Sequence, residues 1–403
     1  MRHPQLTPFL AVFIGLSALP AAENATALPI SFRGFVDSNV TILPTGISDN
    51  PVTAKDESRD KTRFIACGGL EAIGKVGERV NTHVNVWLYP DLVSDTNQNI
   101  QVREAYVEFL PYESYRVVTG KIESHLGLAA KEPRDAYSVY TSIINNALSY
   151  TGAYGNDTIG AHVYFEPKDK PFSVDLHVTN GYFTSSDATS ALYVPPSSPN
   201  RQNGDLGYAG ECTWKLPNDH GKLNAECAYD RHSWMNADAA QPFTPGTPGA
   251  ANNLGGNVLH LGINLLMTPL AADSPNGVLT IGLEGIHQWI GTGKDPNDND
   301  VGEKARRTEG MALVNYALPK GVGPCPVSFT AQVQQVSLEL GADNGKAKAT
   351  GVMFDVLTYP GQTDKYVVVA EFGWWKSDAD TQGLVVSENV HGTVIALEAF
   401  AYF

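Results

Sequence analysis

Apolar and polar side chains alternate along most of this chain. The clearest example is residues 158–179, where one apolar and one polar face continue through two runs joined by Pro167-Lys168-Asp169-Lys170. Alternation with a period of two residues indicates β-strands, and the 3.6-residue period of an amphipathic helix is hard to find over any useful length. Similar segments recur from residue 30 to the end, at about 23 residues for each strand with its loop. This spacing predicts an all-β fold of about 16 antiparallel strands, within a range of about 14 to 18.

The connections between these strands fall into two classes. Tight turns alternate with long loops that are rich in Pro, Gly, Asn, Asp and Ser, a combination typical of outer-membrane barrels. Aromatic residues gather at strand ends, as at Trp87 and Tyr89 and at Trp374-Trp375, where interfacial girdles need them. We therefore predict one closed antiparallel transmembrane β-barrel over residues 28–403. The turns are at residues 110–113, 167–170 and 218–221, and the long loops at 45–62, 184–203, 234–256 and 291–308.

The N-terminus is predicted to be an export signal. Arg2 and His3 provide a weakly positive start, an apolar run follows over residues 9–19, and Ala25-Thr26-Ala27 fits a small-x-small cleavage site. We expect residues 1–27 to be a cleaved signal peptide, with Ala22 as an alternative cleavage point. Beyond this segment no apolar run approaches the roughly 20 residues that a membrane-spanning helix needs. A multi-helix transporter is therefore excluded.

The overall charge argues against nucleic acid as a partner. The 403 residues carry 43 acidic and 28 basic side chains, a formal net charge of −15. Binding phosphates calls for a basic patch, which this balance does not favour.

The polar faces of the predicted strands should line the barrel lumen. If Phe165 pairs with Phe172 in the 158–179 hairpin, His162 lies opposite Asp175. Acidic residues outnumber basic ones among the lumen candidates, which suggests a weak cation preference, although the surplus acid could equally lie in external loops. The candidates are His83, Asn85, Glu104, Tyr106, Glu108, Lys121, Glu123, His162, Tyr164, Asp175, His177, Glu211, Lys215, Lys222, Glu226, His260, Asn264, Glu284, Gln332 and Gln334.

One long loop and one cysteine pair invite further predictions. The loop of roughly residues 124–141 could fold inward as a constriction or remain external, and its charged residues are Lys131, Glu132, Arg134 and Asp135. Cys212 and Cys227 stand on either side of the turn at residues 218–221, so they could face each other across a hairpin and form a disulfide.

Catalytic and metal-binding patterns are not apparent. Residues 295–300 are rich in Asp and Asn, but Asp300 occupies the position where a calcium loop needs glycine. There is no HExxH, GxSxG or phosphate-binding loop, so we predict no enzyme activity, no cofactor and no resident metal. His162 and His177 could bind a transported metal or chelate, but ordinary polar lumen residues are the preferred interpretation.

The C-terminal strand resembles a known signal. Thr393 to Phe403 reads TVIALEAFAYF and ends on an aromatic residue. This resembles the assembly signal of Gram-negative outer-membrane barrels, although Ala401 stands at the third-from-last position, where those strands often carry Tyr, and Tyr402 follows it. The resemblance implies recognition by the barrel-assembly machinery. The residues that carry it are Ile395, Leu397, Ala399, Ala401 and Phe403.

A second resemblance lies upstream. Residues 100–128 resemble the porin segment in which an acidic-aromatic strand, here Glu104-Ala105-Tyr106-Val107, is followed by a hairpin and a Gly120-Lys121 strand end. The layout through Tyr150 to residues 180–182 is similar to that of β-barrel porins and their siderophore-porin relatives. The resemblance implies a barrel in outer-membrane lipid of a Gram-negative bacterium that passes small solutes or ions and that can assemble as a homotrimer.

Three alternatives stay open at this point. The first is a substrate-specific uptake barrel, for example for a siderophore or metal chelate. The second is an adhesin or structural surface barrel with a blocked lumen. The third is a secreted soluble β-sandwich that binds or cleaves glycans, which would leave Phe403 unexplained.

Overall fold

Strands that are neighbours in sequence pair with each other throughout the computed structural model, and the first strand pairs with the last. The result is a closed antiparallel barrel of 16 strands, which confirms the predicted fold class and strand number. The secreted β-sandwich is thereby excluded. The structure describes residues 30–45, 61–90, 98–122, 126–127, 158–179, 206–231, 257–269, 276–290, 293–294, 300–301, 304–319, 323, 325–340, 346–360, 365–380 and 390–403.

The barrel strands are numbered in chain order, together with two short strands, β12 (Gly293–Lys294) and β13 (Asp300–Val301), which form a separate ribbon. Within the described ranges, no helix has the length and apolar character needed to cross a membrane. The barrel strands are β1 (Ile30–Thr45), β2 (Lys61–Lys75), β3 (Val80–Pro90), β4 (Gln98–Tyr112), β5 (Tyr115–Ile122), β6 (Thr158–Phe165), β7 (Phe172–Thr179), β8 (Gly207–Lys215), β9 (Gly221–Arg231), β10 (Asn257–Met267), β11 (Val278–Ile290), β14 (Ala305–Ala317), β15 (Val327–Leu340), β16 (Lys346–Thr358), β17 (Tyr366–Asp380) and β18 (Val390–Tyr402).

The two faces of the wall have opposite character. Large apolar side chains such as Leu176, Ile263 and Leu397 point outward and are exposed. Polar side chains at the intervening positions, such as Asn264 and Glu398, point inward and are buried. An apolar exterior around a polar interior is the reverse of a soluble protein and is the arrangement of barrels that span membranes, since closure satisfies every ladder hydrogen bond without an exposed edge.

The barrel closes between β1 and β18. Asp37 pairs with Phe400 and Phe35 with Tyr402, and the rings of Phe35 and Phe400 stack with centroids 5.1 Å apart. At the end of the seam, Gly34 and Phe403 exchange two backbone hydrogen bonds of 3.0 and 2.9 Å. The C-terminal aromatic therefore completes the ladder that seals the barrel. The function of this strand as an assembly signal stays a prediction.

Connection lengths alternate from one end of the barrel to the other. Between β2 and β3, β4 and β5, β6 and β7, and β8 and β9 the chain turns within a few residues, whereas residues 123–157, 180–206 and 232–256 connect strands at the opposite end. This is the asymmetry that the sequence predicts. Residues 1–29 with the predicted signal peptide, and most of the long loops, lie outside the described residues.

The register corrects two predictions. In the β6–β7 hairpin Phe165 pairs with Val174 rather than Phe172, so His162 lies directly opposite His177. In the β8–β9 hairpin Cys212 pairs with Ala225, so Cys227 lies two residues further along and the two thiols are free. Both cysteines are on the outward face and exposed. The predicted disulfide is wrong because the ladder places the two cysteines diagonally.

Candidate functional site

The inward faces of the strands collect nearly all the predicted lumen residues. The register and the burial pattern place eighteen of the twenty candidates inside the barrel, and Glu123 lies outside the described residues. That they line a conducting pore stays a prediction. The inward candidates are His83, Asn85, Glu104, Tyr106, Glu108, His162, Tyr164, Asp175, His177, Glu211, Lys215, Lys222, Glu226, His260, Asn264, Glu284, Gln332 and Gln334.

Lys121 is the one candidate that the structure places on the opposite face. In β5, Val118 pairs with the inward residues Glu108 and His162 on its two neighbouring strands. Val118 therefore faces inward, and so does Ile122, which lies four residues further along the strand. Lys121 pairs with Ala105 on the outward side, and its amine donates a hydrogen bond to a backbone carbonyl of β4. The prediction is wrong because the inward phase of this strand is that of Arg116, Val118 and Ile122, which leaves Lys121 on the outward face.

Water reaches the inward face along β2 to β5, here called the exposed inner wall. The side chains of Glu71, Glu104 and Glu108 are 26%, 14% and 18% exposed, and that of Arg116 is 45% exposed. By contrast the side chains of Glu226 and His260, on β9 and β10, are fully buried. An inward side chain can meet water only in the lumen, so the exposed inner wall borders the aqueous space.

Polar groups of the exposed inner wall hold one another in place. His83 Nε2 lies 2.8 Å from Glu71 Oε1 and 3.8 Å from Glu104 Oε2. Asn81 donates to Glu108 Oε2 over 2.7 Å, and Arg116 Nη1 lies 3.6 Å from Glu108 Oε1. Carboxylates restrained by several partners keep fixed positions, so the wall presents a fixed row of negative charge to the lumen.

A segment of the connection after β5 enters the barrel. Leu126 is fully buried, and the backbone amide of Gly127 donates to both carboxylate oxygens of Glu226, over 2.9 and 3.0 Å. Glu226 lies on β9, four strands away around the wall and 99 residues away in sequence. Part of this connection therefore lies inside the barrel, as the inward-folding alternative predicts. Lys131, Glu132, Arg134 and Asp135 lie outside the described residues.

Glu226 is the centre of a buried network. Its Oε1 is 3.0 Å from Nε2 of His260, and its Oε2 accepts a hydrogen bond of 3.2 Å from Asn264. The other ring nitrogen of His260 is 3.2 Å from Nε2 of Gln288. These contacts connect β9, β10 and β11 and orient the carboxylate toward Gly127. We call Glu226 with His260, Asn264 and Gln288 the anchor network.

The buried titratable side chains inside the barrel are mostly carboxyl groups. Among the described residues, the buried basic side chain is Arg307, which contacts Glu309 over 3.2 Å. Asp355 and Glu371 lie directly opposite each other across β16 and β17. The buried carboxylates are Asp37, Asp175, Glu211, Glu226, Glu284, Glu309, Asp355, Glu371 and Glu398.

Several inward residues were not among the sequence candidates. Asp355, Glu371 and Glu398 alternate with apolar neighbours in β16 to β18, so the same period-two signal that identified the other candidates could have found them, whereas Glu309 lies between Thr308 and Gly310 and carries no such signal. Arg116 is different, because the apolar pair Val117-Val118 leaves the phase of β5 undecided.

Comparisons with known proteins support the fold. No protein-family model and no curated protein matches the sequence. Among solved structures, the outer membrane channel DcaP of Acinetobacter baumannii matches with a TM-score of 0.59 at 12% identity, covering 96% of this chain and 100% of that chain. The trimer form of OmpT, an outer membrane protein of Vibrio cholerae, matches with a TM-score of 0.53 at 11% identity, covering 93% and 99%. An anion-selective porin from Comamonas acidovorans matches with a TM-score of 0.52 at 11% identity, covering 93% and 99%. The chain has the fold of these outer-membrane barrels.

Proposed function

We propose that this protein is a porin-like channel for the passive diffusion of small solutes or ions across the outer membrane of a Gram-negative bacterium. The observation that carries the proposal is the water-exposed polar wall inside a closed 16-stranded barrel with an apolar exterior. Barrels of this size enclose an aqueous channel unless loops or side chains fill it. On this proposal the protein is not an enzyme and needs no cofactor.

The selectivity that fits this lumen is a preference for cations. Glu71, Glu104 and Glu108 face the water-exposed space, and Arg116 lies 3.6 Å from Glu108 on the same wall. Rings and rows of carboxylates favour cation entry, because the fixed charge raises the local cation concentration. The Comamonas porin of similar fold is anion-selective, so ion selectivity has to be argued from side chains rather than from the fold.

The inserted Leu126-Gly127 segment would narrow this channel. Gly127 contacts the anchor network on β9, so the segment occupies that side of the lumen and the aqueous path would run beside the exposed inner wall. A channel confined to one side of the barrel would select by size as well as charge.

Planar-bilayer recording of the refolded chain tests the proposal. We expect discrete conductance steps and, in a potassium chloride gradient, a reversal potential of the sign for cation preference. Anion preference would contradict the assignment of the exposed inner wall as the selective surface. Heat-modifiable migration on gels shows whether the protein is folded. If folded protein gives no conductance steps, this result would contradict the open channel and favour the surface barrel with a blocked lumen.

Assembly and export complete the proposal. The OmpT structure is a trimer form, and we propose that this chain also assembles as a homotrimer. Cross-linking in detergent should yield a band of three chains. We also propose that residues 1–27 are removed on export and that the barrel-assembly machinery recognises the C-terminal strand. N-terminal sequencing of the mature protein tests the cleavage site.

A further inference from the structure

Two imidazoles and one carboxylate meet on the inward face of the β6–β7 hairpin. His162 and His177 are directly paired across the two strands, and their rings stack with centroids 3.7 Å apart at an angle of 19°. Asp175 lies two residues before His177, so alternation brings it to the same face. Its Oδ2 is 2.5 Å from His177 Nε2 and 3.9 Å from His162 Nδ1.

We propose that His162, Asp175 and His177 bind a divalent transition-metal ion of the zinc type. Each residue offers one ligand atom, and the three atoms lie within 4.8 Å of one another. Zinc–ligand bonds of about 2.0–2.1 Å place two ligands of a tetrahedral ion about 3.3 Å apart. The 2.5 and 3.9 Å separations fall on either side of that value, and binding would require the stacked imidazoles to tilt apart so that a nitrogen of each ring points at the ion.

The donor set decides the class of metal. Imidazole nitrogens suit Zn²⁺, Cu²⁺, Ni²⁺ and Co²⁺, whereas Ca²⁺ and Mg²⁺ take oxygen ligands. Two imidazoles and a carboxylate leave a fourth tetrahedral position for water. The Tyr164 hydroxyl, 3.2 Å from His162 Nδ1, stands at this edge of the site, where it can hydrogen-bond to that water. The guanidinium of Arg116 lies 3.9 Å from the centroid of the Tyr164 ring and holds the phenol in place.

The set of neighbouring ligand atoms makes this site different from the other histidines of the lumen. Both imidazoles are fully buried, and the Asp175 side chain is 11% exposed, so an ion would enter past the carboxylate. His83 has carboxylate neighbours but belongs to no comparable cluster among the described residues, and both ring nitrogens of His260 contact the anchor network. A zinc-type ion needs several ligands, and two imidazoles beside one carboxylate provide three of them. A simple ion pair would need only one imidazole.

Metal stoichiometry of the untagged full chain tests the proposal. The protein is refolded in detergent after chelator treatment, incubated with Zn²⁺, desalted and analysed for bound metal. We expect one equivalent for each barrel. Replacing Zn²⁺ with Co²⁺ should give the visible absorption of a tetrahedral site. Metal should also raise the temperature at which the folded band is lost on gels, since an ion that binds only the folded state stabilises it.

Substitutions locate the ion. His162→Gln and His177→Gln each remove one imidazole while keeping a polar side chain, and we expect each to abolish the bound equivalent and the Co²⁺ absorption. His83→Gln removes a lumen imidazole beside carboxylates and should retain both. Retention of metal by both site variants, or its loss only in His83→Gln, would overturn the proposal, as would failure of the folded parent chain to bind Zn²⁺. These readouts do not depend on conductance, so they stand apart from the test of channel function.

Discussion

Removing the carboxylate of Glu226 tests whether the anchor network holds the inserted segment inside the barrel. In the Glu226→Ala variant the Gly127 amide loses the acceptor that now lies 2.9 and 3.0 Å away. A hydrogen bond to a charged group contributes about 1.5–3 kcal/mol. Since each 1.4 kcal/mol is about tenfold, the ratio of docked to undocked segment should fall by about 10- to 100-fold.

Amide hydrogen exchange measures this loss without assuming any function. The peptide containing Gly127 should lose protection by the same factor in Glu226→Ala. Leu126 remains apolar and continues to favour the buried position, so partial rather than complete release is expected. If this peptide keeps its protection, the carboxylate does not hold the segment.

Glu211→Ala is the matched control for this experiment. Glu211 pairs directly with Glu226 across β8 and β9, and its carboxylate accepts a hydrogen bond from Asn224. Both variants remove one inward carboxylate of the same size at the same level of the barrel. Equal loss of protection in the two variants would refute the anchor. In bilayers, a larger or unsteady single-channel conductance is expected in Glu226→Ala alone.

Three further perturbations have expected outcomes. Glu104→Gln should move the reversal potential toward zero, most clearly at low salt, where charge is least screened. Gly120→Ala should lower folding stability by about 1–3 kcal/mol in urea titrations, because its φ of +138° and a Cβ only 2.2 Å from the Ala105 carbonyl oxygen both oppose a side chain. Ile263→Arg places a charge on the outward face at the middle of β10. It should lower the free energy of unfolding, measured in lipid vesicles, by about 2–4 kcal/mol.

Each of these has a control on the same molecule. Glu309→Gln removes a buried carboxylate, and a shift of reversal potential as large as that of Glu104→Gln would contradict the role of the exposed inner wall. Gly285→Ala should be mild, because a Cβ there meets only Ile263 Cγ2 at 3.7 Å. Tyr229→Arg, near the end of β9, should cost about 0–1 kcal/mol. If the two arginine substitutions lowered folding stability equally, although they lie at different distances from the middle of the strands, this result would argue against a membrane around this surface.

The fold follows from the sequence because a membrane barrel imposes one rule on every strand. Lipid on one side and polar lumen on the other force the alternation that runs through Leu259 to Leu265 and Phe329 to Gln334, and counting such segments gives the strand number. The rule fails in β5, where Val118 and Ile122 face inward, and at single positions of other strands, such as Met353 and Leu357 in β16. An apolar residue can be buried inside a narrow lumen as well as in lipid, so hydrophobicity alone cannot fix the phase of a strand such as β5.

The alternation of apolar and polar residues does not predict strand register or long-range contacts. A shift of two residues leaves every side chain on its own face, so the pattern could not distinguish pairing of His162 with Asp175 from pairing with His177. The turn decides between them, with Asp169 at a φ of 61°. Likewise, the contact between Gly127 and Glu226 joins positions 99 residues apart and leaves no local signal.

The inner wall divides into two parts that should respond differently to substitution. On the exposed inner wall, Glu71 and Glu104 keep contact with water, so neutralising them changes the field along the lumen at little cost in folding. On the opposite side, Glu226 and His260 are fully buried and hydrogen-bonded to each other, so losing one removes a buried hydrogen bond from the other and destabilises the barrel. Permeation and stability therefore depend on different sectors of one polar surface. This division follows from the side on which the Leu126-Gly127 segment docks.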